Sequence, residues 1–385
     1  MTLAKIDDAG RRARLGARHL LSTRAAAVED VVDAVVGLHA TDPATAFLSA
    51  CARLERPSVA EVEAAFYERH SLVRLLAMRR TMFAVTAGTA PVVQAAAGAA
   101  VAAKERQKLL VYLAEGVGWD ADRLAAVEET TLEALRRRGA ATTVDLTRDV
   151  PDLLEQVVVA AGKPYETRQN VSSRVVRVLA AEGRMRRGRP LGTWLSTRFR
   201  WEPATPWPEL DPADARAELT RRWLASYGPG AEADLKWWTG WNLGHTRKAL
   251  AAAGAVEVEL STGPGYALPD DLDPVEDPEP WAALLPALDP TPMGWQARGW
   301  YLPDRHRPRL FDTAGNVGPT VWWNGAVVGG WAQRADGGLV WELLEDVGAD
   351  AEAAIAREAD RLASWLGGVR VIPRFRTPLE KELAT

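Results

Sequence analysis

ETRQNVSSRVVRVLAAEGRMRRGRPLGTWLSTRFRW (166–201) is the stretch on which the reading of this chain turns. Val171, Val175, Val178 and Leu179 fall at i, i+4, i+7 and i+8, so the spacing predicts a helix from about Thr167 to Glu182 with one apolar face. Asn170, Ser173, Arg174 and Arg177 fall on the other face. Gly183 predicts the stop, because a residue without Cβ suits a helix end. GRMRRGRPLGTWLSTRFRW then reads as a basic two-stranded hairpin. Upstream, EETTLEALRRRG predicts a helix ending at Gly139, and Thr142 with Asp145 predicts a capping box opening a short second helix. Helix, helix, amphipathic helix and basic hairpin, in that order, make a winged helix.

Charge points the same way. Residues 163–200 hold ten basic side chains against two acidic ones, although the whole chain carries −4. The first 200 residues hold 30 Lys and Arg against 23 Asp and Glu, and the remainder holds 17 against 28. A local excess of that size suits either a surface for a polyanion or a solvated arginine-rich face, and charge alone does not choose between them. Arg168, Asn170, Arg174, Arg177, Arg184, Arg186, Arg187, Arg189, Arg198 and Arg200 are the polyanion's candidate contacts, most of them expected on phosphates.

Working outward, residues 8–58 read as helices, with Asp42-Pro43 restarting the chain: Asp42 as N-cap and proline at the first helical position. Ser58 and Glu61 predict a capping box for the next helix, and 90–115 reads as an alanine-rich helical bridge. Residues 212–269 repeat the three-helix-plus-hairpin plan less basically. Beyond the acidic, proline-rich PDDLDPVEDPEP (269–280), Gly- and Trp-punctuated apolar runs carry the turn signals Asn324-Gly325 and Asp336-Gly337. These predict a small β-barrel closed by a helix at 350–366. The expected fold class is therefore α+β, mostly helical. Its parts are an N-terminal winged-helix-like module with a bridge (1–125), a basic winged helix (126–205), a third winged helix (206–275) and a β-barrel (276–385).

Several function classes find no support. The single cysteine, Cys51, sits in an apolar pattern and predicts a buried thiol, and the histidines lack metal-ligand spacing. No metal or cofactor is expected. Glycine-rich phosphate loops, HEXXH and G-x-S-x-G are absent. The opening MTLAKIDDAGRRARLG lacks an apolar leader core and no long uncharged apolar run follows, so the expectation is a cytoplasmic, nucleoid-associated monomer without membrane contact.

Five segments together resemble one family. VVGLHATDPATAF (35–47), LLAMRRTMFAVT (75–86), RRWLASYGPGAEADLKWWTGW (221–241), LLPALDPTPMGWQAR (284–298) and GPTVWWNGAVVGGW (318–331) are similar, in order, to the bacterial winged-helix DNA glycosylases of the AlkZ/YcaQ type. The resemblance implies tandem winged helices around a DNA channel. It also implies a monofunctional glycosylase that excises bulky N-alkylated purines, or unhooks crosslinks through guanine N7, from double-stranded DNA. The family's catalytic stretch reads Gln-X-Gln or Gln-X-Asp where this chain has His39-Ala40-Thr41. The resemblance thus makes His39 and Thr41 the catalytic candidates, with Asp42 as electrostatic support and Arg79 and Arg80 as further DNA contacts. The altered motif suits specialisation for a particular adduct, such as self-protection against a genotoxin. The other reading is a winged-helix regulator or damage sensor that binds DNA without releasing a base.

Overall fold

The computed structural model describes residues 3–159, 162, 164 and 166–385; Lys163, counted in the basic stretch, lies outside them. Three units along the chain repeat one plan. In the first, helix Val28–Ala34 leads to strand Leu38–His39, helices Pro43–Arg53 and Val59–Tyr67, and the hairpin Leu72–Leu76 with Met82–Thr86. In the second, helices Ala121–Arg138 and Thr143–Asp149 precede helix Ser172–Ala181 and the hairpin Met185–Pro190 with Phe199–Pro203. In the third, helices Pro212–Tyr227, Glu232–Thr239 and Leu243–Ala252 precede the hairpin Val256–Leu260 with Gly263–Ala267. Each time, a residue just ahead of the second helix pairs with the returning hairpin strand: His39 with Phe83, Ala141 with Trp201, Gly230 with Tyr266. The first residues close the third unit, strand Ala4–Ile6 running parallel to Val256–Leu260.

Local chemistry explains the elements. Gly139 and Gly183 end their helices with φ of 72° and 74°. Thr142 and Asp145 form both halves of a capping box. Asp42 accepts the Ala44 amide at 3.1 Å with Pro43 in the first turn. Ser58 caps its helix through the Glu61 amide, but the return half of that box is missing because the Glu61 carboxylate goes to Arg69 instead, at 2.5 Å.

Four expectations need correction. The basic helix starts at Ser172, not near Thr167: Thr167–Asn170 is a strand paired with Gln156–Val159, whose β-branched valines supply a ready partner. Leu38–His39 is a strand inside a stretch read as helical. Val36 (φ 59°) and Gly37 (φ 157°) break the helix, and a Cβ on Gly37 would lie 2.9 Å from the Val85 side chain, so only glycine lets the strand approach its neighbour. The C-terminal unit is not a closed barrel but an open antiparallel sheet of four strands, ordered Ala282–Leu285, Thr320–Trp323, Ala326–Gln333 and Leu339–Leu343. Four short strands leave both edges free, and helix Ala349–Leu366 covers the sheet through Ile355, Ala359 and Leu362 rather than further strands doing so. Helices make up 46% of the described residues, so the class is mixed α+β with less helix than expected.

Packing divides the molecule in a way that positions a site. One core joins the first unit's sheet (Leu75, Phe83, Val85) to the third unit (Trp223, Trp238) and the C-terminal unit (Trp295, Trp322). A second gathers the helices around Phe47 and Val62 against Leu284, Val321 and Ile355. The basic unit keeps its own core around Leu135, Val175, Leu179 and Trp201. The basic hairpin segment crosses over: Trp194, between its strands, is buried in the second core with its ring 5.2 Å from Phe47, and Leu195 packs against the same core.

Candidate functional site

Where the first and second units face each other there is a cleft of about 400 Å³. Ala40, Thr41 and Pro43 line it from the strand–helix junction of the first unit, and Arg74, Leu75, Arg80 and Met82 from that unit's hairpin. Arg177 of the basic helix lines the opposite side with Arg186, Arg187, Trp194, Phe199 and Trp201 of the basic hairpin segment. Arg374, far along the chain, completes it. Trp194 packed on Phe47 pins the hairpin tip to the helix that follows Thr41, so the two sides of the cleft are held to each other by an apolar contact. The result is a cleft lined by apolar and aromatic side chains together with arginines, a chemistry suited to bases and phosphates.

The two catalytic candidates occupy different layers. Thr41 lines the cleft, half-buried, and its hydroxyl makes no hydrogen bond among the described residues. His39 is 2% exposed, with its ring 4.6 Å from Phe83 and no protein partner on either nitrogen. Burial, reinforced by the Arg79 charge and opposed by Asp289, pushes its pKa down to about 3, so the imidazole is neutral at physiological pH. Asp42 is likewise buried, and both carboxylate oxygens are engaged: Oδ1 by the Ala44 amide at 3.1 Å and Oδ2 by the Arg374 amide at 3.0 Å.

The arginines sort by what surrounds them. Arg79 sits in a tight turn (φ 52°) and turns inward, its guanidinium 3.9 Å over the Trp237 ring and pushed by burial down to about 10. Arg80 reaches the cleft but pairs with Glu105 at 2.8 Å. Arg184 pairs with Glu128 and Glu129, Arg186 with Glu202, and Arg189 with Glu68. Arg174 lies 4.5 Å over Tyr112, Asn170 bonds to Gln156, and Arg168, Arg198 and Arg200 are exposed. Arg177 and Arg187 line the cleft with no ion pair among the described residues.

Sequence reasoning missed Arg74, Tyr67, Trp194, Glu105 and Arg374 in the cleft. Arg74 carried a faint signal, a charged residue inside the apolar strand run LVRLL. Arg374 carried none, since its placement depends on Asp42, 332 residues earlier. Asp289, conversely, is structural: it is fully buried and accepts two bonds from the Arg53 guanidinium, at 2.7 and 2.9 Å. Among the described residues no cluster of His, Cys, Asp and Glu could hold a metal, and no helix is long and apolar enough to cross a membrane.

A family model described as DNA glycosylase AlkZ-like matches residues 32–365. The structure is similar to that of the Streptomyces sahachiroi DNA glycosylase AlkZ, with a TM-score of 0.73 and 22% sequence identity over 95% of this chain and 98% of that one. At that identity the likeness speaks for a shared fold. No curated protein sequence matches the chain.

Proposed function

The chain belongs to the AlkZ-like DNA glycosylase family, and from that premise we propose that it hydrolyses the N-glycosidic bond of bulky N7-alkylguanine or related alkylpurine adducts in duplex DNA. The family gives the coarser statement, a DNA glycosylase acting on N-glycosyl bonds. The observation that carries the finer one is the cleft beside Thr41: it is roomy and lined by aromatic side chains and arginines. The three repeated units are read as tandem winged helices, because each adds a pairing residue ahead of its second helix to the following hairpin. On that reading His39-Ala40-Thr41 occupies the junction between the added strand and the second helix of the first unit.

The chemistry asks little of the site. Alkylation at N7 makes the purine cationic, so it departs as a neutral base and the bond ionises towards an oxocarbenium-like sugar without a strong acid. What remains is to position a water and to tolerate positive charge on the sugar. Thr41 orients the water through its hydroxyl. His39, held neutral by burial, is too weak a base to take a proton early; its ring packs on Phe83 behind the junction, and neither nitrogen has a partner among the described residues. A lysine nucleophile is unnecessary for that hydrolysis, so the reading invokes no Schiff-base lyase step.

The test is a panel of duplexes carrying methyl and bulky N7-guanine adducts, each incubated with the protein and then cleaved with alkali. Strand breaks appearing only after alkali treatment are expected. Tight binding with no breaks across the panel overturns the proposal in favour of a DNA-binding damage sensor.

A further inference from the structure

The arginines of the cleft are not equivalent. Arg80 and Arg186 are neutralised by Glu105 and Glu202. Arg74, Arg177, Arg187 and Arg374 line the same cleft and have no carboxylate partner among the described residues. Arg74 is held by the Tyr67 hydroxyl at 3.0 Å and lies 3.8 Å over the Phe66 ring. Arg187 lies 4.6 Å over Phe199. Aromatic faces orient these guanidiniums without cancelling their charge. Burial pushes Arg187 down to about 10, and Arg74, Arg177 and Arg374 each push it the same way. Four like charges gathered without counter-charge cost folding energy, and such an arrangement persists where an anion relieves it.

Arg374 reaches this group by a specific route. Its backbone amide donates to Asp42 Oδ2, while Asp42 Oδ1 caps the helix that begins at Pro43. The residue next to Thr41 therefore fixes the C-terminal segment against the cleft.

The geometry points to a single phosphate seat, formed by Arg74, Arg177, Arg187 and Arg374 beside Thr41, that grips one backbone phosphate of the duplex next to the adducted nucleotide. Asp42 is a positioning residue for it, acting through Arg374, and is not the group that steadies the sugar cation. Guanidinium forks suit phosphate oxygens, and four of them from three separate parts of the chain line one cleft, three acting on the charge of the fourth. This inference rests on the reading of the cleft as DNA-facing, but not on base release.

Binding decides it. Equilibrium affinity is measured for duplexes in which one phosphate at a time around an N7-methylguanine is replaced by a neutral methylphosphonate, using the full-length wild type, Arg187→Gln, Arg374→Gln and Asp42→Asn. One replacement is expected to weaken wild-type binding about tenfold, and to cost clearly less in Arg187→Gln or Arg374→Gln, where one of the four partners is already gone. Each arginine variant should flatten the dependence of log K on log salt by less than one, because all four share a single phosphate. Asp42→Asn combined with Arg374→Gln should bind no worse than Arg374→Gln alone. Without DNA, Arg187→Gln should melt higher than wild type, because the repulsion is relieved; a purely structural arginine would lower the melting temperature. Losses that add at every phosphate position, or variants that bind like wild type, overturn the seat. If base release fails while one phosphate still couples to these arginines, the seat stands and the glycosylase reading falls.

Discussion

His19 and His39 show how far burial alone can set a residue's chemistry. Both are enclosed, and both are pushed down to about 3 from an ordinary value of 6.5, largely by desolvation. His19 has partners, Thr291 Oγ1 at 2.8 Å and the Ser226 carbonyl at 3.2 Å, whereas His39 has none. Below pH 6.5 the unfolded chain takes up protons that the folded chain refuses until about pH 3, so stability falls as pH falls through that window and is flat above it. Each histidine contributes at most about 1.4 kcal/mol per pH unit. Urea midpoints between pH 7.5 and 5.0 should therefore drop for the wild type and drop less for His39→Leu; equal slopes would show that the ring is not enclosed as described. By the same logic the excision rate should show no inflection near pH 6.5 from His39, and a clear one there would restore it as a general base. The sequence placed His39, Thr41 and Asp42 together and left their division of labour open. Spacing cannot reveal that Asp42 spends both oxygens on amides, one of them at Arg374.

At the scale of elements, what was legible and what was not follows a single physical line. Caps, stops and helix faces are local, and Gly139, Thr142, Asp145 and Gly183 act where they stand in the chain. Strands are not local: Leu38–His39 is extended because Ala84 and Phe83 are there to pair with it, and Thr167–Asn170 because Val157–Val159 is. The same holds for Trp194, whose burial against Phe47 no pattern within the hairpin foretells. Truncating a buried tryptophan costs about 3–5 kcal/mol where the surroundings do not collapse. Trp194→Ala should free the hairpin tip, giving rapid protease cleavage near 190–199 and weaker duplex binding while far-UV circular dichroism stays unchanged. An unaltered proteolysis pattern would mean that the tip is held some other way. Helix Pro43–Arg53 is pinned at its far end by Arg53 and Asp289. Asp289→Asn leaves a buried guanidinium short of its counter-charge, so a loss of about 3–5 kcal/mol is expected, read as a lower urea midpoint. A midpoint within error of wild type would remove this pair from the account of how the junction is held.

At the scale of the molecule, the division of charge and the division of cores coincide. The basic unit keeps a core of its own, while the first, third and C-terminal units share theirs. The cleft lies between the independent basic unit and the shared body, and Trp194 bridges the two. Charge patterning revealed the basic unit from sequence. It could not reveal that Arg184, Arg186 and Arg189 are spent on neighbouring carboxylates while Arg74 and Arg374, outside that stretch, meet no carboxylate among the described residues. Binding to duplex DNA should weaken steeply with salt, as phosphate-driven association does. The open sheet of the C-terminal unit also alters the expected picture: with two free edges it acts as packing support, its inner face sharing a core with the helix that carries Phe47.

The central claim, hydrolysis of an adducted base at the junction facing the cleft, is tested most directly by single-turnover release of free N7-methylguanine from a defined duplex. Wild type and Thr41→Val are compared, with mass spectrometry of the released base and of the remaining strand. The wild type should release the free base and leave an unbroken strand carrying an abasic site. Thr41→Val should release it at least about 100-fold more slowly while binding the duplex nearly as well. Absence of free base with saturating wild-type protein, or an undiminished rate in Thr41→Val, would contradict the account.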